Sequence, residues 1–217
     1  MSAPRGAVLQ RDGQTYAVVP WIKGGLVTPE ILEKLAQVAR KYQIPVMKLT
    51  FAGRIALVGL KAEDVEAVWA DLGLPPAPAV GPCLRSVQSC PGTAACRLAL
   101  QDSLGLGMRL EEKFGGVELP GKMKVGISGC PICCAESWVR DFGAFGKKTG
   151  FTVVVGGNAA QFPRIGEVLA EGLTAEEVEQ VFEKLLDLYR REGQKGERFG
   201  NFAHRLGIER LKMEAGL

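Results

Sequence analysis

Apolar residues in the first seventy positions fall into short runs set off by turn residues. Gly6-Ala-Val-Leu-Gln10 and Thr15-Tyr-Ala-Val-Val19 flank Asp12-Gly13 and predict two short strands around a turn. Thr28-Pro29 predicts a helix start, with threonine as N-cap and proline at the first helical position. Ile31, Leu32, Leu35 and Val38 then repeat at helical spacing on one face. Val46-Met-Lys-Leu-Thr50 and Arg54-Ile-Ala-Leu-Val58 predict two more strands, and a helix is expected over about 62–72.

Strand, helix, strand, strand, helix is close to a ferredoxin-like arrangement. Residues 74–82, Leu-Pro-Pro-Ala-Pro-Ala-Val-Gly-Pro, cannot continue a helix or enter a central strand, because proline lacks the N–H and clashes with the preceding turn. The expected organisation is therefore a half-domain over 1–73, a Pro-rich linker over 74–82 and a second, α/β domain over 83–217, α+β overall. In the second domain a helix is expected at roughly 94–104, and strands at Met123–Ser128 and Phe151–Val155. The first of these strands runs into Gly129-Cys130-Pro131 and the second into Gly156-Gly157-Asn158. Thr174-x-x-Glu177 is a capping box ahead of a long helix with Val178, Val181, Phe182, Leu185 and Leu188 on one face. The single histidine, His204, falls in a helix-like stretch and is read as a packing or surface residue.

Composition narrows the chemistry. At 217 residues, 47% hydrophobic and 24% charged, the chain is long enough to bury a core without staples. A net charge of +3 is too small to argue for nucleic acid. Met1–Arg5 has no apolar stretch of a signal peptide, and there is no long apolar run, so a cytoplasmic chain without membrane spans is expected. One histidine excludes a multi-His zinc or di-iron site and a bis-His haem within a single chain; any metal here should be held by thiolate.

The six cysteines all lie between residues 83 and 134. Cys90-Pro-Gly-Thr-Ala-Ala-Cys96 is a C-x5-C pair, and Cys130-Pro-Ile-Cys-Cys134 contains a C-x3-C pair. Four thiolates so gathered suit a [4Fe–4S] cluster or an all-cysteine zinc site. Zinc knuckles commonly use C-x2-C, so the spacing favours iron–sulfur, with inert buried thiols as the third reading. Cys83 and Cys133 are surplus to four ligands. Lys122 and Lys124 alternate along a strand and point to one side of it. With Arg85 and Arg54 they are either scattered surface charge or a pocket for a small dianion.

These motifs resemble the siroheme- and iron–sulfur-dependent sulfite and nitrite reductases. Cys-Pro-Gly-Thr-x-x-Cys at 90–96 and Ser-Gly-Cys-Pro-x-x-Cys at 128–134 are similar to the family's cluster signature. Leu49-Thr50 with Arg54 and Gly59, Leu119-Pro-Gly-Lys-Met-Lys124, and Val153–Asn158 with Pro163-Arg164 resemble further family segments. The resemblance implies that Cys90, Cys96, Cys130 and Cys134 ligate a [4Fe–4S] cluster and that Cys134 also bridges to siroheme. It implies that Arg54, Arg85, Lys122 and Lys124 hold and protonate the anion, and that sulfite is reduced to sulfide by six electrons, with nitrite as the alternative substrate. Asn158, Arg97, Arg164, Arg140 and Lys147 are candidate partners of the siroheme carboxylates. Gly105-Leu-Gly107 is no dinucleotide fingerprint, so an external donor such as a ferredoxin is expected.

The chain departs from the larger members in three ways. It carries one repeat where they carry two, which leaves a homo-oligomer open and makes it resemble the small assimilatory-type enzymes. Ile132 and Cys133 stand in a segment that often carries asparagine, and Gly53 stands where glutamine is frequent. The rival readings are an electron-transfer module without turnover of its own, and a structural zinc protein.

Overall fold

The computed structural model describes residues 4–217, which divide into two compact units between Ala79 and Val80. In the first unit β1 (Ala7–Leu9), β2 (Tyr16–Val18), α1 (Pro29–Lys41), β3 (Val46–Leu49), β4 (Ile55–Leu60) and α2 (Val65–Leu72) follow in sequence. The strands form an antiparallel sheet in the order β1-β2-β4-β3, backed by both helices. The hydroxyl of Thr28 accepts from Ile31 N, so α1 starts where Thr-Pro places it. Val18, Leu35, Val38, Leu57, Leu60 and Val68 close a small core. The ferredoxin-like expectation holds, with an added N-terminal hairpin.

The second unit is built on a five-stranded sheet in the order β5 (Leu84–Ser89), β6 (Met123–Ser128), β7 (Phe142–Lys147), β8 (Gly150–Val155) and β9 (Glu167–Leu173). β5, β6 and β7 run parallel; β8 and β9 return antiparallel. The β5-to-β6 crossover passes through α3 (Ser103–Phe114). The β6-to-β7 crossover contains only a 3-10 turn at Ser137–Val139, and it carries three cysteines. α4 (Ala175–Glu192), α5 (Phe199–Leu206) and α6 (Ile208–Ala215) complete the unit.

Phe182 of α4 anchors the core, its ring 5.2 Å from Phe114 and 4.9 Å from Phe142, both edge-on. It is fully buried, so Phe182→Ala should cost about 3–5 kcal/mol of stability. Urea denaturation checks this: the midpoint should fall with little change in slope.

The helix expected at 94–104 is not formed. Gly92–Ala94 is a single 3-10 turn, and α3 begins at Ser103, with Asp102 accepting from Gly105 N at 2.9 Å. The alanines and leucines of 94–100 suggested a helix by composition, but Leu98 and Leu100 face solvent. The backbone N–H groups of Leu100 and Gln101 are instead both taken by Gly129 O, at 2.7 and 3.1 Å. β7 and β9 were not expected: two glycines interrupt the apolar pattern of Phe142-Gly-Ala-Phe-Gly146.

Candidate cluster and anion site

Parallel pairing brings the two cysteine motifs together. Ser89 lies opposite Ile127, and Cys90 N donates to Ile127 O at 3.1 Å, so both motifs start at the carboxyl ends of adjacent strands. Gly129 N donates to Cys90 Sγ at 3.1 Å, and the hydroxyl of Ser103 lies 3.2 Å from the same sulfur. A side chain at Gly129 would press on Gly92 and Gln101, so the two loops meet backbone to backbone. Loop 130–136 is then pinned under the sheet. Ser128 Oγ accepts from Ala135 N at 3.1 Å and lies 2.9 Å from Ser137 Oγ. Gly126 and Gly143 leave the room it needs, because a Cβ at either would collide with the carbonyls of Ala135 or Ser137.

Within this loop Cys133 and Glu136 both adopt φ 57°, the left-handed region that non-glycine residues rarely enter. Cys130 is buried, Cys133 half-buried, and Cys96 and Cys134 are exposed. Burial pushes the Cys133 thiol up, with the neighbouring sulfurs of Cys130 and Cys134 adding to it. Cys83 is buried at the start of β5, away from both loops, its sulfur near Val80 O.

Among the described residues no three His, Cys, Asp or Glu side chains gather closely enough to hold one ion. A cubane makes a different demand from a single ion: each thiolate takes its own iron corner, so four ligands stand around a cluster rather than a point. Two loops held together, each bringing a pair of thiols, with the one nearby carboxylate, Glu136, paired to Arg140, fit that group.

Lys122 and Lys124 are half-exposed at the opposite, amino end of β6. The ammonium of Lys124 titrates below the ordinary lysine value, first through burial and then through the cations Arg140, Arg198 and Lys122. Arg140 is buried and pairs with Glu136 at 2.6 Å, while its Nε has no hydrogen-bond partner. The cations here outnumber the two carboxylates, Glu136 and Asp141. That excess and the orphaned Nε suit the carboxylates of siroheme or a small anion. Arg85 is half-buried, with Nε on Gly81 O at 3.0 Å. Arg54, in the first unit, is buried in the turn ahead of β4, where Thr50 N donates to its carbonyl at 2.8 Å.

The other expected carboxylate partners differ in availability. Arg97 is exposed, whereas Asn158 is buried, its amide donating to Phe162 O at 3.1 Å. Arg164 donates to Gly200 O at 2.9 Å, and Lys147 pairs with Glu171 at 2.8 Å. Trp138 packs on Phe145 with ring centres 5.2 Å apart. His204 is exposed on α5. Sequence reasoning missed Asp141, which is fully buried, and Arg198, which pairs with it at 2.7 Å. The available signal was a charged Arg140-Asp141 step leading directly into an apolar strand.

Two family models match the chain: the nitrite/sulfite reductase ferredoxin-like half domain over residues 8–74, and the nitrite and sulphite reductase 4Fe-4S domain over 80–217. An assimilatory-type sulfite reductase of Nitratidesulfovibrio vulgaris is 48% identical over 96% of this chain and 96% of its own length. A Bacillus subtilis nitrite reductase [NAD(P)H] is 41% identical over 95% of this chain, which spans only 26% of that protein. A solved dissimilatory sulfite reductase I has the same fold, with a TM-score of 0.81 at 17% identity over 93% of this chain and 69% of its own. The chain belongs to the nitrite and sulfite reductase family, and its cofactors are that family's siroheme and [4Fe–4S] cluster. This removes the zinc reading. No helix among the described residues is long and apolar enough to cross a membrane.

Proposed function

We propose that the chain is an assimilatory-type sulfite reductase that takes sulfite to sulfide with six electrons, nitrite being its alternative substrate. The observation that carries this reading is the group of cations around Lys124, on the same strand that delivers the Cys130–Cys134 loop. When bound, the siroheme and cluster pair would relay the electrons and supply an iron for the substrate. Cys90, Cys96, Cys130 and Cys134 would hold the cluster, and Cys134 would also hold the siroheme.

The remaining work falls to side chains. The cations Arg85 and Lys122 offset the two negative charges of sulfite. Lys124 holds a proton for an oxygen that must leave as water. Its ammonium gives that proton up more readily than an ordinary lysine, because burial and three cations oppose its charge. Electrons come from a separate small acidic carrier such as a ferredoxin, and the free cysteines fit a reducing cytoplasm.

Steady-state assays of the loaded protein with sulfite and with nitrite, using a reduced viologen as donor, test the reading. The expected result is turnover of both, with kcat/KM higher for sulfite. A fully loaded protein that reduces neither would be an electron-transfer module instead.

A further inference from the structure

Asp141 is the most completely engaged carboxylate near the site. A carboxylate offers about four acceptor positions, and here all four are filled. Oδ1 accepts from Arg198 Nε at 2.7 Å and Gly200 N at 3.0 Å. Oδ2 accepts from Lys124 N at 2.8 Å and Arg198 Nη2 at 3.1 Å. The backbone N–H of Asp141 also donates to Lys124 O at 3.1 Å. The peptide groups on both sides of the Lys124 Cα are thus held by one residue just ahead of the neighbouring strand β7. Arg198 continues the link, donating through Nη1 to the side-chain oxygen of Asn158 in the loop after β8. Asp141 is fully buried and has no lone pair left for substrate, so it takes no part in the chemistry itself.

We propose that Asp141 and Arg198 form a positioning dyad for Lys124: the buried carboxylate fixes the lysine's backbone, and the bidentate guanidinium locks that carboxylate to the Asn158 loop. The proposal rests on the assignment of Lys124 as proton donor above. The charged groups facing Lys124 are Lys122 on its own strand, Arg140 and Asp141 from the segment leading into β7, and Arg198 from the start of α5. Glu136 faces Arg140 rather than the lysine. Asp141 alone supports the ammonium's charge. Losing its carboxylate should lower the lysine's titration further and loosen the backbone clamp together.

The test uses the loaded enzyme and two variants, Asp141→Asn and Arg198→Lys. The first keeps the shape of the side chain and removes its charge. The second keeps the charge and loses the paired geometry. At cofactor content equal to wild type, Asp141→Asn should lower kcat about 10- to 100-fold, the range expected from misplacing an acid by a fraction of an ångström to one ångström. Its alkaline limb in kcat/KM should also move to lower pH, since a more easily lost proton is missing sooner as pH rises. Arg198→Lys should lower kcat while leaving the limb near its wild-type position.

Competitive acetylation across pH, read at the Lys124 peptide by mass spectrometry, follows the same titration without turnover. Lys124 should become reactive at lower pH in Asp141→Asn. If Asp141→Asn does not fold, Arg198→Lys carries the test: kcat within about twofold of wild type would overturn the dyad. An unmoved limb and unmoved acetylation profile in a folded, loaded Asp141→Asn would overturn it too, leaving the functional reading intact if Lys124→Ala is inactive. A fully active Lys124→Ala would remove both.

Discussion

Cys134→Ser is expected to abolish sulfite reduction and to change the signals of both cofactors. The loop around Cys134 is held by bonds that do not involve its sulfur: Ala135 N to Ser128 Oγ, Glu136 N to Cys133 O, and Ser137 Oγ to Ala144 O. Serine is nearly isosteric, and position 134 is exposed, so the fold should persist. On the proposed assignment what is lost is a ligand, because a hydroxyl does not ionise near neutral pH as a thiol beside a metal does. Iron and labile sulfide content should fall below wild type. The visible bands of siroheme should shift as well, if Cys134 is shared between the two centres. A loss of cluster signal with unchanged siroheme bands would show that Cys134 is not the bridge. Cys83→Ser, remote from both loops, should leave both signals in place.

Lys124→Ala should lower kcat/KM for sulfite about 10²- to 10⁴-fold, the usual worth of a positioned general acid, with the cofactor spectrum unchanged. The direction of the pH dependence follows from the lysine's lowered titration. In the proposed role the protonated form is the active one, so activity should fall as pH rises through a value below the ordinary lysine range. In Lys124→Ala that limb should disappear. Lys124→Arg keeps the charge but cannot give up a proton at working pH. It should bind sulfite with a KM near wild type and still turn over slowly. A Lys124→Arg enzyme as fast as wild type would make the residue an anion holder rather than an acid.

The elements that begin with a local chemical signal were legible from the sequence. Thr28-Pro29 starts α1, and the capping box is formed by both of its bonds, Glu177 N donating to Thr174 Oγ1 and Thr174 N donating to the Glu177 carboxylate. The strand into Gly129-Cys130 was legible because Met123, Val125 and Ile127 alternate along it up to the turn at the glycine. What failed was decided by contacts remote in sequence. Residues 94–101 carry helix-favouring alanine and leucine, but their N–H groups are committed to Gly129 O, and exposed Leu98 and Leu100 bury no face that would stabilise a helix. β7 hides behind two glycines: Gly143 leaves room for the Ser137 turn, and Gly146 for Gly129 and Gln101.

The cysteines were legible as a set, though their meeting depends on the parallel pairing of β5 with β6 that α3 makes possible. The Asp141–Arg198 pair joins residues 57 positions apart, and no spacing rule connects them.

Electron counting tests the central claim most directly. The loaded protein, given limiting sulfite and an excess of reduced viologen under anaerobic conditions, should oxidise six viologen radicals for each sulfide released, matching complete reduction at one site. Viologen oxidation without sulfide, or cofactors that reduce and reoxidise with no change in sulfite, would contradict the assignment of this chain as a sulfite reductase.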